Sequence, residues 1–151
     1  MTQVAVHEFI ARPPAEVMAA LTDYDRLGEW MLKVVAFEKL TEGPLRVGSR
    51  WKHLRQRFGE TAADLNEVVR LEPPHRFDVH IVSTRSRNVR ADYLFSFRLE
   101  PEGEGTNVIL TVEGETTGME YGPSQEMIAH TVATLVAADV ASLKRYLEQE
   151  G

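Results

Sequence analysis

Apolar residues recur along this chain at two spacings, and the change from one to the other divides it. Gln3 to Ala11 alternates loosely, with Val4, Val6 and Ile10 on one side, and predicts a strand. Arg12-Pro13-Pro14 ends it, and proline suits the first turn of a helix. Ala15 to Leu21 follows as a short helix with Val17, Met18 and Leu21 apolar. Thr22-Asp23-Tyr24-Asp25 is a turn, and Asp25 can cap a second short helix reaching Trp30.

Strand-like segments come next: Lys33–Leu40, Val47–Phe58, Thr61–Leu71, Arg76–Val82, Val89–Leu99 and Thr106–Thr117. Short breaks rich in Gly, Pro and polar residues separate them, as in an antiparallel meander. Period 2 is clearest in Tyr93-Phe95-Phe97-Leu99 and in Val108-Leu110-Val112. Asp92, Ser96, Arg98, Thr111 and Glu113 occupy the alternate positions, so one face is buried and one is wet. After Pro123 the spacing becomes 3 and 4. Ser124 to Glu150 contains no Gly or Pro, and Ile128, Val132, Leu135, Val136, Val140, Leu143 and Leu147 form an apolar stripe. The expected fold is α+β: a curved antiparallel sheet of about seven strands around a long C-terminal helix, with two short helices after the first strand. Where such a sheet diverges from its helix, a mostly apolar pocket opens.

Composition narrows the chemistry. The 151 residues suit one domain spanning 1–151. No cysteine is present, which removes thiolate metal sites, disulfides and cysteine nucleophiles. The start shows no basic, then apolar, leader, and no apolar run approaches a membrane span, so a cytoplasmic location and no stable membrane insertion are expected. The net charge of −6 argues against nucleic acid as a partner. Residues 46–98 nevertheless hold 11 Lys/Arg against 6 Asp/Glu. These arginines either line solvated strand faces and discourage edge pairing, or make an anion-attracting mouth.

A family resemblance rests on motifs spread over the whole chain. They are Ala11-Arg12-Pro13-Pro14-Ala15-Glu16-Val17, Asp23 with Trp30, and Val47-Gly48-Ser49-Arg50. Leu71-Glu72-Pro73-Pro74-His75-Arg76-Phe77, Pro101-Glu102-Gly103-Glu104-Gly105-Thr106 and the helix segment Asp139 to Leu147 complete the set. With this element order, the chain resembles the START-like (SRPBCC) superfamily, in its polyketide cyclase/dehydrase-type branch. The resemblance implies a helix-grip fold and an internal cavity. Its members include lipid carriers, hormone receptors and aromatase/cyclases, so it does not by itself select an activity.

If the strand after Gly48 begins as in those relatives, Trp51, His53 and Arg55 point into the cavity. Asp64, Asn66 and Val68 follow on the next strand, then Phe77, Val79 and Ile81, then Tyr93, Phe95 and Phe97, then Leu110 and Val112. A single bulge reverses such an assignment. Trp30, Met127 and Leu135 complete the expected ligand-binding set. Histidine ordinarily titrates near ~6.5, so His53 is the leading proton carrier, with Asp64 as the group that orients it. The alternative is that both belong to an ordinary buried hydrogen-bond network. Trp30 and Trp51 can stack on a flat ligand or simply pack, and the Tyr93 hydroxyl can reach a ligand or be satisfied within the core.

The chain has no HExxH, P-loop or GxSxG, and no three histidines share a ligand spacing, so neither a metal nor another cofactor is expected. His7 and His80 fall on solvated strand faces, and His130 on the helix surface. Met119, Met127, Phe9 and Phe37 read as core or rim. Three functional readings remain. One is binding of a small hydrophobic or aromatic ligand, lipid or polyketide-like. Another is a cofactor-independent aromatase/cyclase, with His53, Asp64, Arg55 and Tyr93 as catalytic groups. The third is a protein-interaction or stress-related module. An exposed edge strand permits either a monomer or a homodimer.

Overall fold

The computed structural model describes residues 1–57, 59–85, 88–118 and 124–149. Seven strands form one antiparallel sheet in the order β1-β7-β6-β5-β4-β3-β2. They are β1 (Thr2–Ile10), β2 (Val34–Lys39), β3 (Arg50–Arg57), β4 (Glu60–Glu72), β5 (Arg76–Thr84), β6 (Arg90–Glu102) and β7 (Gly105–Thr117). Helix α1 (Pro14–Thr22) follows β1, with a 3-10 helix over Tyr24–Glu29. The long helix α2 spans Gln125–Gln149. This is the helix-grip arrangement. Phe58, Met119, Pro123 and Glu150, and part of the polar stretch Ser83–Asn88, lie outside the described residues.

Most elements begin and end within a few residues of the sequence expectation. The largest differences are three residues: β3 starts at Arg50 rather than Val47, and β6 runs on to Glu102 rather than ending at Leu99. Gly48 has φ of 92°, and Ser49 Oγ accepts from the Arg46 amide at 2.9 Å. The Gly48 amide still donates to the Val68 carbonyl at 2.8 Å and the Val68 amide to the Ser49 carbonyl at 3.0 Å, so the turn stays bonded to β4 and regular pairing begins at Arg50. Proline opens α1 at its first turn, where its missing amide proton is not needed.

The register runs through the middle of the sheet without a slip. Trp51 faces Asn66, His53 faces Asp64, Asn66 faces Ile81, Val79 faces Phe95 and Phe97 faces Leu110. Alternate residues therefore point to one concave face over five strands. A bulge between Val68 and Arg70 changes parity only near the β4–β5 turn, beyond the polar residues of β4. Gly114 shows how closely two strands approach: a Cβ there would lie 2.0 Å from the Asp92 carbonyl oxygen and 2.7 Å from the Tyr93 Cα.

Helix α2 packs closest on β1, while α1 lies against β6 and β7. The helix thus grips one edge of the sheet and stands away from its middle. Ile128, Val136, Val140, Leu143 and Leu147 are its buried residues. By length and composition alone, α2 is apolar enough to cross a membrane. In the fold its apolar stripe faces the sheet instead. Its far end is tied to the β1–α1 turn. Glu148 Oε2 accepts from the Ala11 amide and from Lys144 Nζ, both at 2.9 Å. The Ala11 hydrogen bond first, and Lys144 next, hold the Glu148 carboxyl below its ordinary pKa.

Candidate functional site

Between α2 and the concave face lies a cavity of about 520 Å³. That volume falls in the range of small-molecule sites. Trp51, Asp64, Asn66, Phe77, Val79, Ile81, Tyr93, Phe95, Phe97 and Leu110 line it from the sheet. Ile128, Thr131, Val132, Leu135, Val136, Asp139, Val140 and Leu143 line it from the helix. Leu21, Leu27, Trp30 and Met31 close one end. Ser83, Arg85, Ala91 and Thr116, all half-buried, lie at the ends of β5, β6 and β7. The lining is mostly aromatic and aliphatic, with a short polar wall.

That wall carries a chain of charges, buried except for the half-buried Asp139. The Arg55 guanidinium donates to both carboxylate oxygens of Asp139, at 2.9 and 2.7 Å. Asp139 Oδ1 also accepts from the Leu32 amide at 3.0 Å. One carboxylate on α2 thereby holds β3 and the segment entering β2. His53 Nε2 lies 3.1 Å from Asp64 Oδ2. Burial works against charge on Asp64, but the hydrogen bond and charge of His53 outweigh it, helped by Ser83 and Arg55. The Asp64 carboxyl therefore titrates below its ordinary 3.8 and is ionised at neutral pH.

Several predicted residues sit elsewhere. His53 is 1% exposed and is not among the lining residues. It stands behind the wall, so Asp64 reaches the cavity and His53 supports it, the reverse of the expected order. Met127 is 60% exposed and lies outside the lining, because the turn of α2 directs Ile128 and Thr131 inward. Val68 and Val112 are buried in the core without bordering the cavity. Tyr93 does border it, and its hydroxyl lies 2.7 Å from Thr116 Oγ1. Trp51 packs edge-on against Tyr24 at 5.7 Å, which limits its freedom to stack on a ligand.

Asp139, Ser83 and Arg85 were not predicted. A signal existed for Asp139: it falls four residues after Leu135 and four before Leu143, a carboxylate within the apolar stripe. A half-buried carboxylate there is stabilised by a neighbouring cation, and Arg55 supplies it.

The convex face accounts for much of the basic excess of residues 46–98. Arg50 lies 3.6 Å from Glu67, Arg70 3.7 Å from Asp78, Arg90 3.4 Å from Asp92 and Arg98 3.1 Å from Glu100. Among the described residues, no group of three or more His, Asp or Glu is placed to hold a metal.

A sequence model of the family described as "Polyketide cyclase / dehydrase and lipid transport" matches residues 1–148. The chain belongs to that family. No curated protein matches it. Solved structures share its fold at low identity. A conserved protein from Geobacillus kaustophilus has a TM-score of 0.84 at 15% identity, covering 97% of this chain and 95% of that one. A START superfamily protein from Mycobacterium smegmatis has a TM-score of 0.80 at 12% identity, with 100% of both chains covered. DynU16, a putative protein in the dynemicin biosynthetic locus, has a TM-score of 0.68 at 21% identity, covering 98% of this chain and 48% of that one. At these identities the likeness is one of fold.

Proposed function

We propose that the chain binds a small hydrophobic or aromatic ligand between α2 and the concave face of the sheet. The cavity of about 520 Å³, with its aromatic and aliphatic lining, is the observation that carries this reading. Enclosure by apolar side chains provides affinity, and a few polar groups on one wall orient the ligand. Membership of a family whose description names lipid transport agrees with it. The chain then acts as a soluble, cytoplasmic binding protein, monomer or homodimer, without nucleic acid or membrane insertion.

The test is titration with the neutral dye N-phenyl-1-naphthylamine, alongside native mass spectrometry for a retained ligand. The dye is expected to bind the unaltered protein. It should bind at least about tenfold more weakly to Leu135→Trp, which fills the cavity from the helix side. Circular dichroism checks that this variant is folded. Equal binding to both proteins, or none to either, overturns the reading.

A second reading is a cyclase that guides aldol closure of a poly-β-ketone. It is favoured by one observation, the ionised Asp64 carboxylate on the cavity wall with His53 behind it. Arg55 and Tyr93 would orient carbonyl groups. Ring closure of a poly-β-ketone by the protein, lost in Asp64→Asn, supports it. Binding without turnover leaves the first reading alone.

A further inference from the structure

A threonine inside a helix often returns its hydroxyl to the carbonyl four residues back. Thr22 in α1 does so, donating to the Met18 carbonyl at 2.8 Å, and Thr134 in α2 donates to the His130 carbonyl at 2.9 Å. Thr131 in α2 does not. Its hydroxyl makes no hydrogen bond among the described residues. Thr131 is also the threonine of α2 that lines the cavity, three residues after Ile128 and four before Leu135. Asp64 Oδ1, Trp51 Nε1 and Arg55 Nε lack partners too, but those atoms are sealed off from any ligand. Thr131 is half-buried and its Oγ1 is not sealed.

The other polar groups of the lining are committed. Tyr93 Oη lies 2.7 Å from Thr116 Oγ1. The Ser83 hydroxyl bonds to Asp64, whose other partner is His53. Asn66 Nδ2 donates to the Trp51 and Asp64 carbonyls at 3.4 and 3.2 Å. Arg55 occupies both oxygens of Asp139, and Arg85 has a partner of its own. Among the described residues, a ligand in the cavity therefore meets no unmatched charge and one uncommitted hydroxyl.

We propose, resting on the binding reading, that Thr131 anchors the ligand and that the group it holds is an uncharged oxygen acceptor, a ketone or ester carbonyl on an apolar body. Thr131 Oγ1 donates to that oxygen. A hydrocarbon leaves the hydroxyl unpaired. A carboxylate loses its hydration on entering and finds each cation of the wall already engaged.

The test compares three probes that share one apolar body: 2-acetylnaphthalene, 2-ethylnaphthalene and 2-naphthoate, titrated calorimetrically into the full chain at neutral pH. Thr131→Val exchanges the hydroxyl for a methyl group. It is expected to weaken binding of the ketone by about three- to tenfold, the size of one net hydrogen bond. Binding of the ethyl compound should change by less than about twofold. Thr131→Ser, which keeps a hydroxyl, should bind the ketone as the unaltered protein does. The naphthoate is expected to bind the unaltered protein most weakly of the three. Equal changes for ketone and ethyl compound in Thr131→Val overturn the role given to Thr131 but leave the cavity reading standing. Naphthoate as the tightest probe overturns the choice of an uncharged ligand. If none of the three binds the unaltered protein, the inference and the cavity reading fall together. Should Thr131→Val not fold, Thr131→Ala, with its higher helix propensity, gives the same comparison.

Discussion

The sheet carries a histidine–aspartate pair on each face, and the two differ mainly in surroundings. On the concave face His53 and Asp64 lie 3.1 Å apart with side chains 1% and 8% exposed. On the convex face His80 and Asp92 lie 2.6 Å apart with side chains 43% and 45% exposed. The hydrogen bond from His80 lowers the Asp92 pKa, and Arg90 adds to it. His53 does the same for Asp64, but against the opposing effect of burial. The outer pair has the shorter contact, yet water solvates both partners and competes for them. The inner pair has few alternatives, so its loss strands a charge. Proximity alone therefore does not rank two interactions of the same chemistry. Access to water does.

Breaking the concave network at its other ion pair gives the largest effect. Asp139→Ala leaves the Arg55 guanidinium buried without its carboxylate and also removes the acceptor of the Leu32 amide. A loss of about 3–5 kcal/mol is expected in urea denaturation. A loss below about 1 kcal/mol would mean that water reaches Arg55, and the contrast between the faces would shrink.

The direct comparison is Asp64→Asn against Asp92→Asn. The first is expected to cost about 1.5–3 kcal/mol, as for a hydrogen bond to a charged group, and the second below about 1 kcal/mol. Similar costs would contradict the ranking by water access.

Acid sharpens the same contrast. The folded pKa of Asp64 lies below its ordinary 3.8. Its contribution is thus complete above that value and is lost as pH falls through the lower folded value. Between about pH 5 and about pH 3, the unaltered protein should lose more stability than Asp64→Asn. An identical slope for the two proteins would show that Asp64 is not shifted downward.

Salt gives the smallest effect. At ~1 M salt the screening length is about 3 Å, so the cost of Asp92→Asn should nearly vanish while that of Asp64→Asn persists. Equal attenuation of both would place the concave pair in contact with bulk solvent.

Much of the fold was legible because alternation is a local property. Tyr93, Phe95, Phe97 and Leu110 share a face once their strands are recognised, and the pairing sets them side by side. The same parity places Trp51, Asp64 and Asn66 on the cavity wall, since the bulge in β4 falls beyond them. Parity does not measure depth. His53 has the same inward parity as Trp51, yet it lies behind the wall. Nor does a helical stripe fix which of its margins meets a void, and Met127 turned outward.

The sequence by itself determined which residues alternate, where glycine and proline interrupt them, and that a long amphipathic helix closes the chain. These follow from the backbone periods of strand and helix. Only the tertiary structure decided that α2 grips β1 and stands off the middle of the sheet, that Asp139 meets Arg55, and that Asp64 rather than His53 faces the cavity. Those outcomes depend on how far and at what rotation two elements pack, and no local period encodes that.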